Sequence, residues 1–149
     1  MRIEKYELVF DRSKTSFDFI SEGPKGRILK TVRFTKMKVK GYNNLYNLAF
    51  GDKNTDLETI DDLIVTDNQD RDKILATVAK TVDIFIKRRP KSLVFFKGST
   101  PSRTRLYQMA INKYFDELTK IFSIEGFTPT GWTFFEKNKN YLAFLISHK

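Results

Sequence analysis

The run Leu93-Val94-Phe95-Phe96, fenced by Pro90 and Gly98, constrains this chain more than any other stretch. It is apolar at every position and has the length of a strand, which suits the interior of a sheet, buried on both faces. The period changes on either side of it. Before it, Ile74, Leu75, Val78, Val82, Phe85 and Ile86 recur every three or four residues, the spacing of a helix with a wide apolar face. Lys87-Arg88-Arg89 places cations in the last turn of that helix, and Pro90 stops it. After it, Thr100 is placed to cap a second helix with Pro101 at its first position. Leu106, Met109, Ala110, Tyr114, Leu118 and Ile121 mark that helix's inner face, and it ends before Gly126. The expectation is two main helices, at about 68–89 and 100–122, with one buried strand between them.

The rest of the chain reads as strands. Glu4–Phe10, Thr15–Ile20, Ile28–Lys38 and Leu45–Phe50 are separated by turn residues at Asp11-Arg12-Ser13, Gly23-Pro24-Lys25-Gly26 and Gly41-Tyr42-Asn43-Asn44, an antiparallel meander closed by Gly51-Asp52. Near the end, Gly131–Glu136 and Tyr141–Ile146 flank Lys137-Asn138-Lys139-Asn140 and read as a hairpin. The order β-β-β-β-α-β-α-β-β predicts an α+β fold: a single mixed, mostly antiparallel sheet with two main helices on it, in one domain over residues 1–149. The expected core comprises Phe17, Phe19, Val32, Phe34, Leu75, Val78, Val82, Phe85, Leu93, Val94, Phe95, Leu106, Ala110, Phe144 and Ile146.

Cysteine is absent and His148 is the only histidine, so disulfides, thiolate metal sites and a cysteine nucleophile are excluded, and no histidine metal site or Ser-His-Asp arrangement is expected. Eight acids lie between Asp52 and Asp72, but Asp67-Asn68-Gln69-Asp70-Arg71-Asp72 lacks the glycine and distal glutamate of a calcium loop. That segment reads as an acidic lead-in to a helix N-terminus, where carboxylates suit the dipole. No apolar run approaches the ~18–20 residues of a membrane span, and the opening MRIEKYELVF lacks a signal-peptide layout, so a soluble, cytoplasmic protein is expected.

Charge is unevenly spread. Residues 1–43 carry 11 cations and 5 acids, residues 44–86 carry 4 and 9, and residues 87–149 carry 12 and 4, for a total of +9. Two basic segments therefore flank an acidic middle. A nucleic acid or another polyanion is one partner this field favours; solvated lysines of an ordinary basic protein give the same composition. Aromatic residues beside cations, such as Phe34 near Arg33 and Lys36, or Tyr42 near Lys40, could stack on bases, although most of the 14 phenylalanines suit a core. Trp132 suits either role.

The richest stretch chemically is 97–107, where the buried strand meets the second helix. Lys97, Arg103 and Arg105 supply cations, Ser99, Thr100 and Ser102 supply hydroxyls, Gly98 allows the turn, and Tyr107 lies four residues after Arg103 on the same helix face. A helix start offers unpaired N–H groups and positive partial charge, so these eight residues form a candidate anion site, most naturally for phosphate. The same residues also make an ordinary helix cap. Two arginines in a first turn oppose the dipole, however, which calls for an anion or for nearby carboxylates such as Asp67 or Asp70. No Walker-type glycine-lysine loop is present.

The block Gly98-Ser99-Thr100-Pro101-Ser102-Arg103-Thr104-Arg105-Leu106-Tyr107, with Tyr6-Glu7-Leu8 and Gly126-Phe127, resembles a family of small Bacteroidetes proteins of unknown function about this long. That resemblance implies a cytoplasmic bacterial protein and lends no activity. The element order from residue 15 onward is also similar to the N-acetyltransferase (GNAT) superfamily, a likeness of fold alone. It implies an acyltransferase using coenzyme A, with Tyr107 as general acid. Where that superfamily has a glycine-rich pyrophosphate turn, this chain has Thr66-Asp67-Asn68-Gln69-Asp70-Arg71, acidic and without glycine. The sequence thus leads to an anion-binding module with nucleic acid foremost and no cofactor. The alternatives are a coenzyme A-dependent acyltransferase or a protein–protein partner such as a toxin–antitoxin-like component.

Overall fold

A computed structural model describes residues 3–54, 59–61 and 68–149. The elements are β1 (Val9–Phe10), β2 (Ser16–Gly23), β3 (Gly26–Lys36), β4 (Leu45–Asn54), β5 (Thr59–Asp61), α1 (Arg71–Arg88), β6 (Leu93–Phe96), α2 (Pro101–Lys113), α3 (Phe115–Leu118), β7 (Phe122–Thr128), β8 (Gly131–Phe134) and β9 (Ala143–His148). The architecture is α+β, with one mixed, mostly antiparallel sheet and two long helices; β4–β6 is its parallel pair. By contacts the chain divides into two compact units: residues 1–35 with 48–85, and residues 36–47 with 86–149.

In the first unit the ladder runs β1-β2-β3-β4, with β5 on β4. The β2–β3 hairpin turns at Pro24-Lys25, between the paired Gly23 and Gly26. Its register sets Phe17 opposite Val32 and Phe19 opposite Lys30, so all four side chains share one face. Phe34 stacks on Phe85 of α1 at 4.2 Å, and Phe19 on Phe50 at 6.3 Å. Phe34 is therefore core and no stacking platform for bases. Lys30 shares this apolar face at 0% exposure, and its ammonium is answered by the carboxylate of Asp52. Lys53 pairs with Asp18 at 2.7 Å.

Three expectations change here. Residues 4–8 form no strand, because the Tyr6 amide donates to Thr77 Oγ1 of α1 at 2.9 Å, while its hydroxyl donates to Asp70 Oδ2 at 2.6 Å. Strand β4 runs through Gly51-Asp52 to Asn54, since Asp52 is held by Lys30 and pairs with Asp61 of β5. Leu75 and Val78 are only half-buried, because Thr77 and Thr81 occupy the innermost positions of α1; each folds its hydroxyl onto its own helix, at Lys73 O and Val78 O. Residues 62–67, with the expected Leu63-Ile64-Val65 piece and Asp67, lie outside the described residues.

In the second unit the ladder runs β4-β6-β9-β7-β8. Phe96 pairs with Phe144, and Val94 with Ile146. The Phe96 and Phe144 rings stack at 5.1 Å, and Tyr107 of α2 meets Phe96 edge-on at 5.9 Å, so α2 covers this face. Strand β6 alternates, with Val94 and Phe96 buried and Leu93 and Phe95 half-buried; it is not enclosed on both sides as expected.

The expected helix over 100–122 stops at Lys113. Tyr114 leaves helical geometry at φ −111°, ψ 22°, the single turn α3 follows, and Phe122 already begins β7. The expected hairpin around 137–140 is replaced as well. Strand β8 pairs with β7 through a turn at Gly131 (φ +125°), and β9 slots between β6 and β7. Loop 137–140 does not close a hairpin because Gln108 holds its end, donating to Lys139 O and accepting from Tyr141 N at 2.9 Å.

Candidate functional site

Strand β6 ends one residue before Lys97 and α2 begins at Pro101, so four residues join them. Gly98 is what makes the join this tight. A Cβ there would stand 2.4 Å from Thr104 N and 2.5 Å from Arg103 Cβ, so only glycine lets the strand end lie against the first turn of α2. The Gly98 amide donates to Thr104 Oγ1 at 3.0 Å. Thr100 is the N-cap, with extended φ −133° and ψ 159°, and its hydroxyl accepts from Arg103 N at 3.3 Å. Thr104 N closes the first helical bond to Thr100 O, and Pro101 has no amide to place. Among the described residues the Ser102 amide has no protein acceptor, and the first turn carries no acid.

The expected residues divide into two groups. Lys97, Gly98, Ser99, Thr100, Ser102 and Arg105 line one open groove of about 780 Å³. Lys97, Ser99, Thr100, Ser102 and Arg105 are exposed there, and Gly98 is buried. Arg103 and Tyr107 do not line it. The Arg103 guanidinium turns back to donate to Ser99 Oγ at 2.9 Å, and Tyr107 packs on Phe96. Helical geometry explains the split, since positions 103 and 107 form one stripe of α2 while 102, 105, 106 and 109 form another.

The remaining wall was not anticipated from the sequence. Leu106, Met109 and Leu142 line the groove at 39%, 54% and 55% exposure, and Pro101, Thr104, Gln108, Asn140 and Tyr141 complete it. Leu106, expected in the core, is thus a surface residue. Its place inside is taken by Thr104, Gln108 and Ile111. Thr104 and Gln108 are polar yet buried because each binds backbone that would otherwise be left unsatisfied: Gly98 N for one, Lys139 O and Tyr141 N for the other. Two polar residues four apart on a helix that follows Gly98-Ser99-Thr100-Pro101 are the signal that could have revealed this face. Tyr141 is fixed from below. Gly126 lies under its ring, where a Cβ would come within 2.2 Å of it, and its hydroxyl accepts from Glu136 N at 2.9 Å.

Asn68–Arg71, part of the segment expected to stand in place of a pyrophosphate turn, is engaged in the first unit. Asn68 is buried, donates to Gly26 O and accepts from Lys25 N, while the Asp70 carboxylate accepts from Tyr6 and Ser21 hydroxyls. Burial, followed by the hydrogen bond to the Asp70 carboxylate, raises the Tyr6 pKa. No helix among the described residues is long and apolar enough to cross a membrane.

The model of a family of unknown function, DUF6934, matches residues 2–149, and the chain belongs to that family. No curated protein and no solved structure matches it.

Proposed function

We propose that this member of DUF6934 is a cytoplasmic binding module for an anionic partner, nucleic acid foremost, received in the groove at the start of α2. One observation carries the reading: the groove wall holds two cations, Lys97 and Arg105, with the hydroxyls of Ser99, Thr100 and Ser102, and not one Asp or Glu. Phosphate oxygens accept hydrogen bonds and carry charge, and this lining supplies donors and cations without a competing carboxylate. The test is titration of labelled single- and double-stranded RNA and DNA at about 50 and 200 mM salt. Phosphate contacts give a steep loss of affinity between the two. Absence of binding at the lower salt removes the proposal.

A second reading, a protein partner of the toxin–antitoxin-like kind, is favoured by the exposed Leu106, Met109 and Leu142. Aliphatic side chains grouped beside cations suit an acidic, partly apolar protein surface. Co-purification from the native host tests it. The acyltransferase alternative, with coenzyme A and Tyr107 as acid, is tested by saturable coenzyme A binding and by acyl transfer lost in Tyr107→Phe; Tyr107 is not among the groove-lining side chains.

A further inference from the structure

The second unit's sheet groups four aromatic rings, Phe95, Phe127, Trp132 and Phe134, on the face away from α2, around the buried Leu145. Paired residues in a ladder point to the same side, and the pairs here form an unbroken chain. Phe95 pairs with Leu145, Leu145 with Glu125, and Glu125 with Phe134; two residues along the same strands, Phe127 pairs with Trp132. These residues alternate with Phe96 and Phe144, which face α2, so they occupy the opposite side. Trp132 touches Phe127 at 5.1 Å and Phe95 edge-on at 6.2 Å. All three are half-buried, and Phe134 at the outer strand is 74% exposed. A core would bury such rings and an ordinary surface would not group them.

We propose that this face is a stacking platform for the bases of a single-stranded nucleic acid. The inference rests on the polyanion reading above and adds where the bases go. Unstacked bases offer flat apolar faces to aromatic side chains, whereas a duplex keeps those faces inside itself. Charge supports the choice of occupant. The second unit holds 15 Lys and Arg against 4 Asp and Glu. The end of β3 and the loop before β4, held where Met37 N donates to Leu45 O, display exposed Lys36, Lys38, Lys40 and Tyr42. Glu125 is the acid on the aromatic face; it repels a phosphate but accepts from an exocyclic base amine such as cytosine N4. The platform therefore turns bases toward the sheet and leaves the backbone to this unit's excess of cations.

Trp132 is the only tryptophan in the chain, so its fluorescence reports on this face alone. Titration with an oligodeoxycytidine of roughly ten nucleotides should quench it, and the same strand in a duplex should not. Phe134→Ala, at a position too exposed to hold the fold, should weaken single-strand binding roughly tenfold. Its circular dichroism should match that of the parent. Three results overturn the platform while leaving the polyanion reading intact: binding by anisotropy without quenching, equal quenching by the duplex, or unchanged affinity in Phe134→Ala. Quenching by polyglutamate with equal affinity also overturns it, in favour of an acidic protein partner. If no nucleic acid binds at low salt, the polyanion reading falls and takes the platform with it.

Discussion

The two units use charge in opposite ways. The first has 12 cations and 14 acids, a net −2, and several of them are turned inward: Lys30 on Asp52, Lys53 on Asp18, and Asp70 beneath the hydroxyls of Tyr6 and Ser21. The second, at 15 against 4 and a net +11, has too few acids to pair its cations one to one. Its buried polar residues, Ser92, Thr104 and Gln108, are neutral instead, and Thr104 and Gln108 bind backbone. A charge taken out of water must be matched, so it serves structure; a charge left at the surface costs little and is available to a partner. On this view the first unit's charges hold it together and the second unit's charges recognise something.

The largest effect that tests this division is expected at Lys30. Replacing it by alanine leaves Asp52 largely buried without its cation, which should cost about 3–5 kcal/mol in urea unfolding. A paired Lys30→Met, Asp52→Leu variant removes both charges and should recover most of that loss. A cost below about 1 kcal/mol for Lys30→Ala would mean that the inward charges are incidental.

Next comes Gly98, which lies in the second unit and shapes its structure. Its missing Cβ is the reason β6 and α2 approach so closely. Gly98→Ala should lower stability by about 1–3 kcal/mol, because the added methyl displaces the first turn of α2 and not because a ligand is held less well. Measuring affinity on the folded fraction separates the two roles. Unchanged stability with abolished binding would place Gly98 among the recognition residues instead.

Third, Lys97→Ala with Arg105→Ala should shift stability by less than about 0.5 kcal/mol, because both side chains are exposed. The same variant should weaken nucleic-acid binding by about tenfold or more and flatten its salt dependence, the slope falling by roughly one for each phosphate no longer neutralised. Arg103→Ala makes the contrast sharper. Its guanidinium is tied to Ser99 and lies off the groove, so the salt slope should hardly move.

What could be read from the sequence follows the same division. Period two located the β2–β3 hairpin, period 3.6 located α1 and a continuous apolar run located β6, although on α1 Thr77 and Thr81 take inner places expected for Leu75 and Val78. The pattern failed at α2, where Leu106 and Met109 carry the periodicity but Thr104 and Gln108 are inside. Periodicity records which side chains are apolar, and here backbone donors and acceptors from Gly98, Lys139 and Tyr141 decide which side chains are buried. Strand β7 was missed for a related reason. Leu118 and Ile121 extend the helical spacing into Phe122-Ser123-Ile124, whose own alternation of two is the stronger guide once Tyr114 has broken the helix. The local chemistry of the 97–107 block was legible because strand, glycine, cap and proline are contiguous. The groove's far wall was not, since Asn140–Leu142 reach it from a distant part of the chain.

The smallest effect belongs to Asp11, a surface carboxylate of the first unit that acts structurally. Partial burial pushes its pKa up, but hydrogen bonds from Ser13 Oγ, from the Ser16 and Thr15 amides and from Thr15 Oγ1 outweigh this and lower it from 3.8 to about 2. These donors fix the turn between β1 and β2, in which Lys14 takes φ 56°. Because the folded pKa lies below the unfolded one, the ionised form is favoured by folding. Its contribution is complete above about pH 4 and is lost as pH falls toward 2. Water and salt reach the group, so the contribution should stay under about 1 kcal/mol. Unfolding free energies of Asp11→Asn and the parent, measured between pH 7 and pH 2, should differ at the upper end and converge at the lower. A difference that stays constant across this range would show that the turn depends on the shape of the side chain rather than its charge. The inward use of charge in the first unit would then end at its buried pairs.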